Sequence, residues 1–401
     1  MRDTLPNIAA HLAPGARSRA RARAVSPEWA EAVDRAFPYR VEDVPNPIPA
    51  LTYAPDEHHG IEPDERGFYY PKPVCGTVNV EHMRAAASFD TGHVVVWDLA
   101  TLAVVCVIRP PDTFIESCDG AHSLRFSPDA SLILIGDDAT SHHCAVCRVA
   151  DGALLWHLDM PTDEFTSIVG DFSALGLIAL SAAPGAPGRG PTTLNHTVSV
   201  WSTSTGGMLR TLPTAGVEVS LLRFSRDGTR LAVMGCDERT FVHYIANGAE
   251  VACFGAAVRH RNEHAMAWSP DGARIAVATS RDFRVWDVTT GRMHMKLPLH
   301  GHSCDWSGDG SRLLVACPWE PFNVGDSYSY DTPRTHVRVI DAGTGLPLEL
   351  FVHDGRTGNA AFASHDGTRV MLFAPGPARS KYTPDDSSGP SGRPIARTFA
   401  V

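Results

Sequence analysis

Lysine is almost missing from this chain. It occurs only as Lys72, Lys296 and Lys381, so nearly all of the 35 basic residues are arginine. Acidic residues outnumber basic ones, and a formal net charge of -10 argues against nucleic acid as the main partner. Long apolar runs are also missing. The longest, Leu102 to Ile108, falls far short of the roughly 18 residues of a membrane span, so no membrane partner is expected. The first residues carry no apolar signal core. The nine cysteines are odd in number and scattered, unlike a disulfide framework. An intracellular protein, cytoplasmic or nuclear, is therefore expected. No GxxxxGK[ST] phosphate loop, HExxH pair or GxSxG elbow occurs. No catalytic residue, resident metal or cofactor is assigned, and the chain is read as not an enzyme.

Glycine (34) and proline (30) are plentiful, while the 43% hydrophobic and 20% charged fractions are those of a globular protein. The Gly and Pro excess sits in residues 1–74 and in three insertions further on. Elsewhere a pattern repeats: apolar strand, tight polar turn, apolar strand, third strand, second tight turn, fourth strand. The first turn reads Ser127-Pro128-Asp129, Ser225-Arg226-Asp227-Gly228, Ser269-Pro270-Asp271-Gly272, Ser307-Gly308-Asp309-Gly310 and His365-Asp366-Gly367. The third strand ends at Trp97-Asp98, near Cys147, then at Trp201, Tyr244, Trp286-Asp287 and Ile340-Asp341, at intervals of 42 to 54 residues. The second turn reads Asp151-Gly152, Thr205-Gly206, Asn247-Gly248, Thr290-Gly291 and Thr344-Gly345. Asp-Gly and Asn-Gly supply the positive-φ positions that two-residue hairpins need. Strands such as Leu231-Ala232-Val233-Met234 are apolar on both faces, as in a sheet covered on both sides. One such unit cannot bury two faces alone, so units stack into a closed ring.

Trp97-Asp98, Trp286-Asp287, Ile340-Asp341 and the Phe/Trp-Ser-Pro-Asp turns resemble the WD-repeat family of β-propellers over about residues 75–401. The resemblance implies an all-β, seven-bladed propeller of four-stranded antiparallel blades. Units start near residues 84, 122, 165, 219, 264, 303 and 359. The last would take Arg393 to Val401 as its third strand and borrow a closing strand from before residue 84, for example Thr77 to Glu81.

Three insertions, Ser181 to His196, Cys317 to Thr335 and Ala374 to Gly392, all fall between second and third strands. They therefore project from one face. Trp319, Phe322, Tyr328, Tyr330 and Tyr382 within them are aromatic anchors for a protein or peptide client. His122, His264 and His302 each lie seven residues before a turn aspartate, a place from which three imidazoles reach a channel metal. That spacing shares parity with packed positions, so packed histidines are the better reading. Cys144 and Cys147 form a CxxC, but residues three apart on a strand point to opposite faces, so they are read as small buried hydrophobes.

Residues 1–40 read as a small helical segment. Ser26-Pro27-Glu28 is a helix start, and Trp29, Val33 and Phe37 continue an apolar stripe. Leu5-Pro6, Ile8, Leu12, Pro14 and Val25-Ser26-Pro27-Glu28-Trp29 resemble an F-box. The resemblance implies that Leu5, Pro6, Ile8, Leu12, Val25 and Trp29 contact a Skp-type adaptor. Residues 41–74, acidic and proline-rich, read as a linker, followed by the propeller over 75–401. The expected function is a non-catalytic interaction scaffold, most concretely the substrate-recognition adaptor of a cullin-type ubiquitin ligase. A general WD-repeat scaffold without a ubiquitin link and a propeller enzyme with a channel metal are the alternatives.

Overall fold

The computed structural model describes residues 41–44, 51–52, 68–69, most of 73–373, and 396–400. Within 73–373 it leaves out 110–122, 137–142, 160–166, 184–196, 256–264, 320–333, 355–358 and positions 90, 215, 218 and 280.

Six blades are each built from four consecutive antiparallel strands: residues 73–108, 123–159, 167–213, 219–254, 265–297 and 303–354. They are numbered 1 to 6 here. A further sheet is composite. Asn359–Phe362, Arg369–Phe373 and Ala396–Ala400 follow one another, and Val41–Val44 supplies the outer strand, with Val41 opposite Phe399 and Val44 opposite Ala396. The reading of seven blades is corrected, while the helical segment expected over residues 1–40 lies outside the described residues. Six blades, not seven, are repeat units of consecutive strands, and no helix occurs among the described residues. The start of the repeat is corrected too. Thr77 does not belong to a closing strand but lies within Pro73–Asn79, the first strand of blade 1. That strand escaped the repeat pattern because its turn, Val80 to Met83, has no Asp-Gly. Met83 itself takes the positive φ of 51°. Within the residues read as a linker, Val41–Val44, Leu51–Thr52 and Phe68–Tyr69 are strands, the last two paired together.

The turn chemistry recurs blade after blade. In blade 4 the Ser225 hydroxyl donates to Asp227 Oδ1 at 2.5 Å and accepts from the Arg230 amide at 3.0 Å, while Asp227 accepts from the Thr229 amide at 3.0 Å. The same three bonds join Ser127, Asp129 and Ser131 with Leu132, and Ser307, Asp309 and Ser311 with Arg312. Serine and aspartate thus satisfy backbone donors that the four-residue loop leaves open. Gly228, Gly272 and Gly310 occupy the left-handed position, but in blade 2 it is Ala130, at φ 53°. Each of the six blades also carries a register shift between its third and fourth strands, at Val96/Trp97, Val146/Cys147, Val200/Trp201, Val242/His243, Val285/Trp286 and Val339/Ile340. A bulge there twists the outer edge and ends the pairing at the second turn.

Burial follows from the ring. Seven buried apolar clusters lie one at each junction between neighbouring sheets. At the closing junction, Ala363, Met371 and Phe373 of the composite sheet pack with Ala85, Ala87, Val95 and Trp97 of blade 1. Gly76 makes room for this. A Cβ on it would lie 2.2 Å from the Phe373 ring.

Candidate functional site

The fold fixes two faces. Turns between first and second and between third and fourth strands are tight and share one face. The three insertions share the other, because they join second to third strands: Leu177–Ala183 to Thr197–Ser202, Arg312–Trp319 to Arg334–Asp341, and Arg369–Phe373 to Ala396–Ala400. Blade 6 reaches furthest. Its second, third and fourth strands have 8 residues each, against 5 in the same strands of blade 5. At ~3.3 Å per residue this is about 26 Å of strand against about 17 Å. The extension ends in the pairs Pro318 with Thr335 and Trp319 with Arg334.

Of the residues expected to hold a client, Trp319 is placed as the last residue of that strand, while Phe322, Tyr328, Tyr330 and Tyr382 lie outside the described residues. So do Leu5, Pro6, Ile8, Leu12, Val25 and Trp29. His122 and His264 lie outside as well, and His302 sits at the start of blade 6 with its amide bonded to Ala316 O at 3.1 Å. Among the described residues no group of three or more His, Cys, Asp or Glu is arranged to hold a metal. Cys144 and Cys147 behave as their spacing requires. Cys144 packs in the layer between blades 2 and 3, Cys147 in that between blades 1 and 2. Burial pushes the Cys147 thiol up to about 12 and Cys144 further in the same direction, so both are thiols rather than thiolates.

Where second strands join third strands, blades 4 and 5 share a charged cluster. Arg284 Nε meets Asp282 Oδ1 at 2.7 Å, Lys296 Nζ meets Asp282 Oδ2 at 3.1 Å, and Arg284 Nη1 stands 3.7 Å from Glu238 Oε2. Glu238 is buried, at a positive φ of 62°, and Arg284 is its ion-pair partner. Burial opposes ionisation of Asp282, but hydrogen bonds from Arg284 and Lys296 outweigh it and hold the carboxyl below its ordinary range.

The sequence pointed to the central channel only through its histidines. The channel is a cavity of about 560 Å³ lined by the innermost strands, running from Ser123 and His302 to Glu81 and Arg226 at the tight-turn end. Register sets one residue from each sheet at the same level: Thr77, Arg125, Asp171, Arg223, Ala267, Asp305 and Ala361. Four of the seven are charged, two of each sign. The aspartates double as fasteners. Asp171 Oδ2 accepts the Phe224 amide of the next blade at 2.7 Å, and Asp305 Oδ2 accepts the Phe362 amide of the next sheet at 3.0 Å. Asp305 Oδ1 also accepts the Trp306 amide at 2.8 Å. Burial raises both carboxyls to about 6, with Arg125 and the amide bonds pulling the other way. Two other junctions use indoles at the same level: Trp268 Nε1 donates to Arg223 O at 2.9 Å, and Trp306 Nε1 to Ala267 O at 3.2 Å. The available sequence signal was a charged residue two places before the turn serine, between packed neighbours.

Comparisons with known proteins agree with this geometry. No protein-family model matches the chain. WD repeat-containing protein 1 of Xenopus tropicalis is 29% identical over 159 residues, which are 37% of this chain and 25% of that protein. The chain thus matches about a quarter of that relative's length. The solved β-propeller domain of Cps50 (Swd1) from Myceliophteria thermophila superimposes with a TM-score of 0.58 at 12% identity, covering 83% of this chain and 97% of that one. Repeat chemistry, ring closure and the structural likeness converge on one fold: the chain forms a β-propeller, similar over part of its length to a WD-repeat protein.

Proposed function

We propose that this chain is a non-catalytic scaffold that captures a protein or peptide client on its insertion-bearing face. The observation that carries the reading is topological. All three long insertions join second to third strands, and blade 6 raises one of them on an extended ribbon. Long loops held on a rigid scaffold are where binding residues concentrate. Such a client contact needs no catalytic group, and the aromatic residues Trp319, Phe322, Tyr328, Tyr330 and Tyr382 supply anchors of the type that dominates interfaces.

The narrower reading is a substrate adaptor of a cullin-type ubiquitin ligase. It rests on the F-box resemblance of Leu5, Pro6, Ile8, Leu12, Val25 and Trp29. The test is affinity purification with mass spectrometry of the full chain, of residues 41–401, and of a variant in which 320–333 is replaced by a short turn. The scaffold reading expects a client that is retained by 41–401 and lost with the shortened loop. The adaptor reading expects a Skp-type protein with the full chain and none with 41–401. A client unaffected by the loop change removes the face assignment. Absence of the Skp-type protein from the full chain removes the ubiquitin link and leaves the scaffold.

A further inference from the structure

The tight-turn end of the channel lies on the opposite face from the insertions, and its hydrogen-bonding groups do not balance. Arg125 Nη1 donates to Leu124 O at 2.7 Å and Arg223 Nη1 to Leu222 O at 2.6 Å, each the carbonyl of its own neighbour. A guanidinium has five N–H donors. Arg125 Nε is buried with no hydrogen-bond partner among the described residues. The two aspartates at this level do not take up these donors. Asp305 has both oxygens engaged by backbone amides, and Asp171 has one. The ring therefore presents spare donors on Arg125 and Arg223, flanking Asp171, toward a cavity of about 560 Å³. A buried donor without an acceptor is costly, and two guanidinium forks facing one space match the oxygens of a carboxylate or phosphate.

We infer that the tight-turn end of the channel is a binding site for a compact oxyanion, a carboxylate or phosphoryl group, held between Arg125 and Arg223. The mouth is spanned by an ion pair between Arg226 of blade 4 and Glu81 of blade 1. Both side chains are about half exposed, 48% and 47%, so the pair can open to admit such a group. Asp305 and Asp171 set the affinity by opposing the arginines. This assignment is independent of client capture on the other face.

The test is calorimetric titration of the full chain with inorganic phosphate and, separately, with acetate, at fixed ionic strength. Saturable binding of one anion per chain is expected. Arg125→Gln and Arg223→Gln should each weaken it at least tenfold, and Asp305→Asn should tighten it several-fold. Preference for phosphate identifies a phosphoryl ligand, and preference for acetate a carboxylate. Circular dichroism checks each fold. If Arg125→Gln does not fold, Arg223→Gln and Asp305→Asn still give opposite expected signs. No saturable binding of either anion, or binding that is indifferent to the arginine changes or weakened by Asp305→Asn, overturns the inference.

Discussion

The side-chain amide of Asn359 donates to the carbonyl of Gly76 at 2.7 Å, joining two residues 283 positions apart in the chain. This bond crosses the seam where the composite sheet meets blade 1. It stands beside the place where Phe373 lies over the missing Cβ of Gly76. Shape and a polar clasp thus hold the seam.

Gly76→Ala is the direct probe of that seam. The new methyl has no room beside the Phe373 ring, and overpacking a buried site costs about 1–3 kcal/mol. Urea unfolding should show a lower midpoint for this variant. A midpoint equal to wild type would mean that the seam relaxes freely.

Strand Val41–Val44 gives a second probe. A chain of residues 41–401 keeps the outer strand of the composite sheet, whereas 73–401 removes it and exposes the edge of Ala396–Ala400. Thermal melts should place 41–401 well above 73–401, and the shorter chain should associate through its open edge. Equal melting temperatures and monomeric behaviour of both would contradict the assigned pairing.

Stability should rise on mild acidification. Asp171 and Asp305, raised by burial to about 6 from an ordinary 3.8, take up protons on folding. Their contribution is full below the unfolded value and is lost as pH rises through about 6. The turn carboxyls act in the opposite sense. Asp366, bonded by the Thr368 hydroxyl, is held at about 2, and Asp271 is held low by Ser269. Their contribution disappears as pH falls below about 4. His93, lowered by burial and by Arg109, also opposes acid. The clean measurement is therefore a difference. Between pH 7 and 5, the urea midpoint of wild type should rise relative to that of Asp171→Asn/Asp305→Asn. Parallel profiles for the two proteins would exclude the aspartates as the source.

Ala130 holds a left-handed position that glycine occupies in blades 4, 5 and 6. A non-glycine residue there costs about 1–2 kcal/mol, partly offset by glycine's greater freedom when unfolded. Ala130→Gly should stabilise by about 0.5–1 kcal/mol, read as a higher denaturation midpoint. A lower midpoint would show that burial of the Ala130 methyl outweighs the backbone strain.

The turns explain which parts of this fold were legible in the sequence. Serine, aspartate and glycine at fixed offsets state a hairpin by their own chemistry, so the first turns of blades 2, 4, 5 and 6 stood out. Blade 1 hid its first strand because its turn, Val80 to Met83, has none of those residues and places its positive φ on Met83. In blade 4 the third strand ends at Tyr244 as expected, but Tyr244 is not the counterpart of Trp97. Register instead puts His243, buried, opposite Leu231, where Trp97 stands opposite Ala85, and leaves Tyr244 46% exposed. The channel level was hidden for another reason. Arg125, Asp171, Arg223 and Asp305 are single charges in apolar strands, and only the ring brings them together.

The pairing of Val41–Val44 with Ala396–Ala400 also sets a schedule for biosynthesis. At about 5–20 residues per second, the ribosome releases the early strand on the order of 20–70 s before its mate. During that wait blade 1 keeps its Trp97 face uncovered, since Met371 and Phe373 emerge just as late. The nascent chain must therefore be sheltered at its beginning until its end has been made.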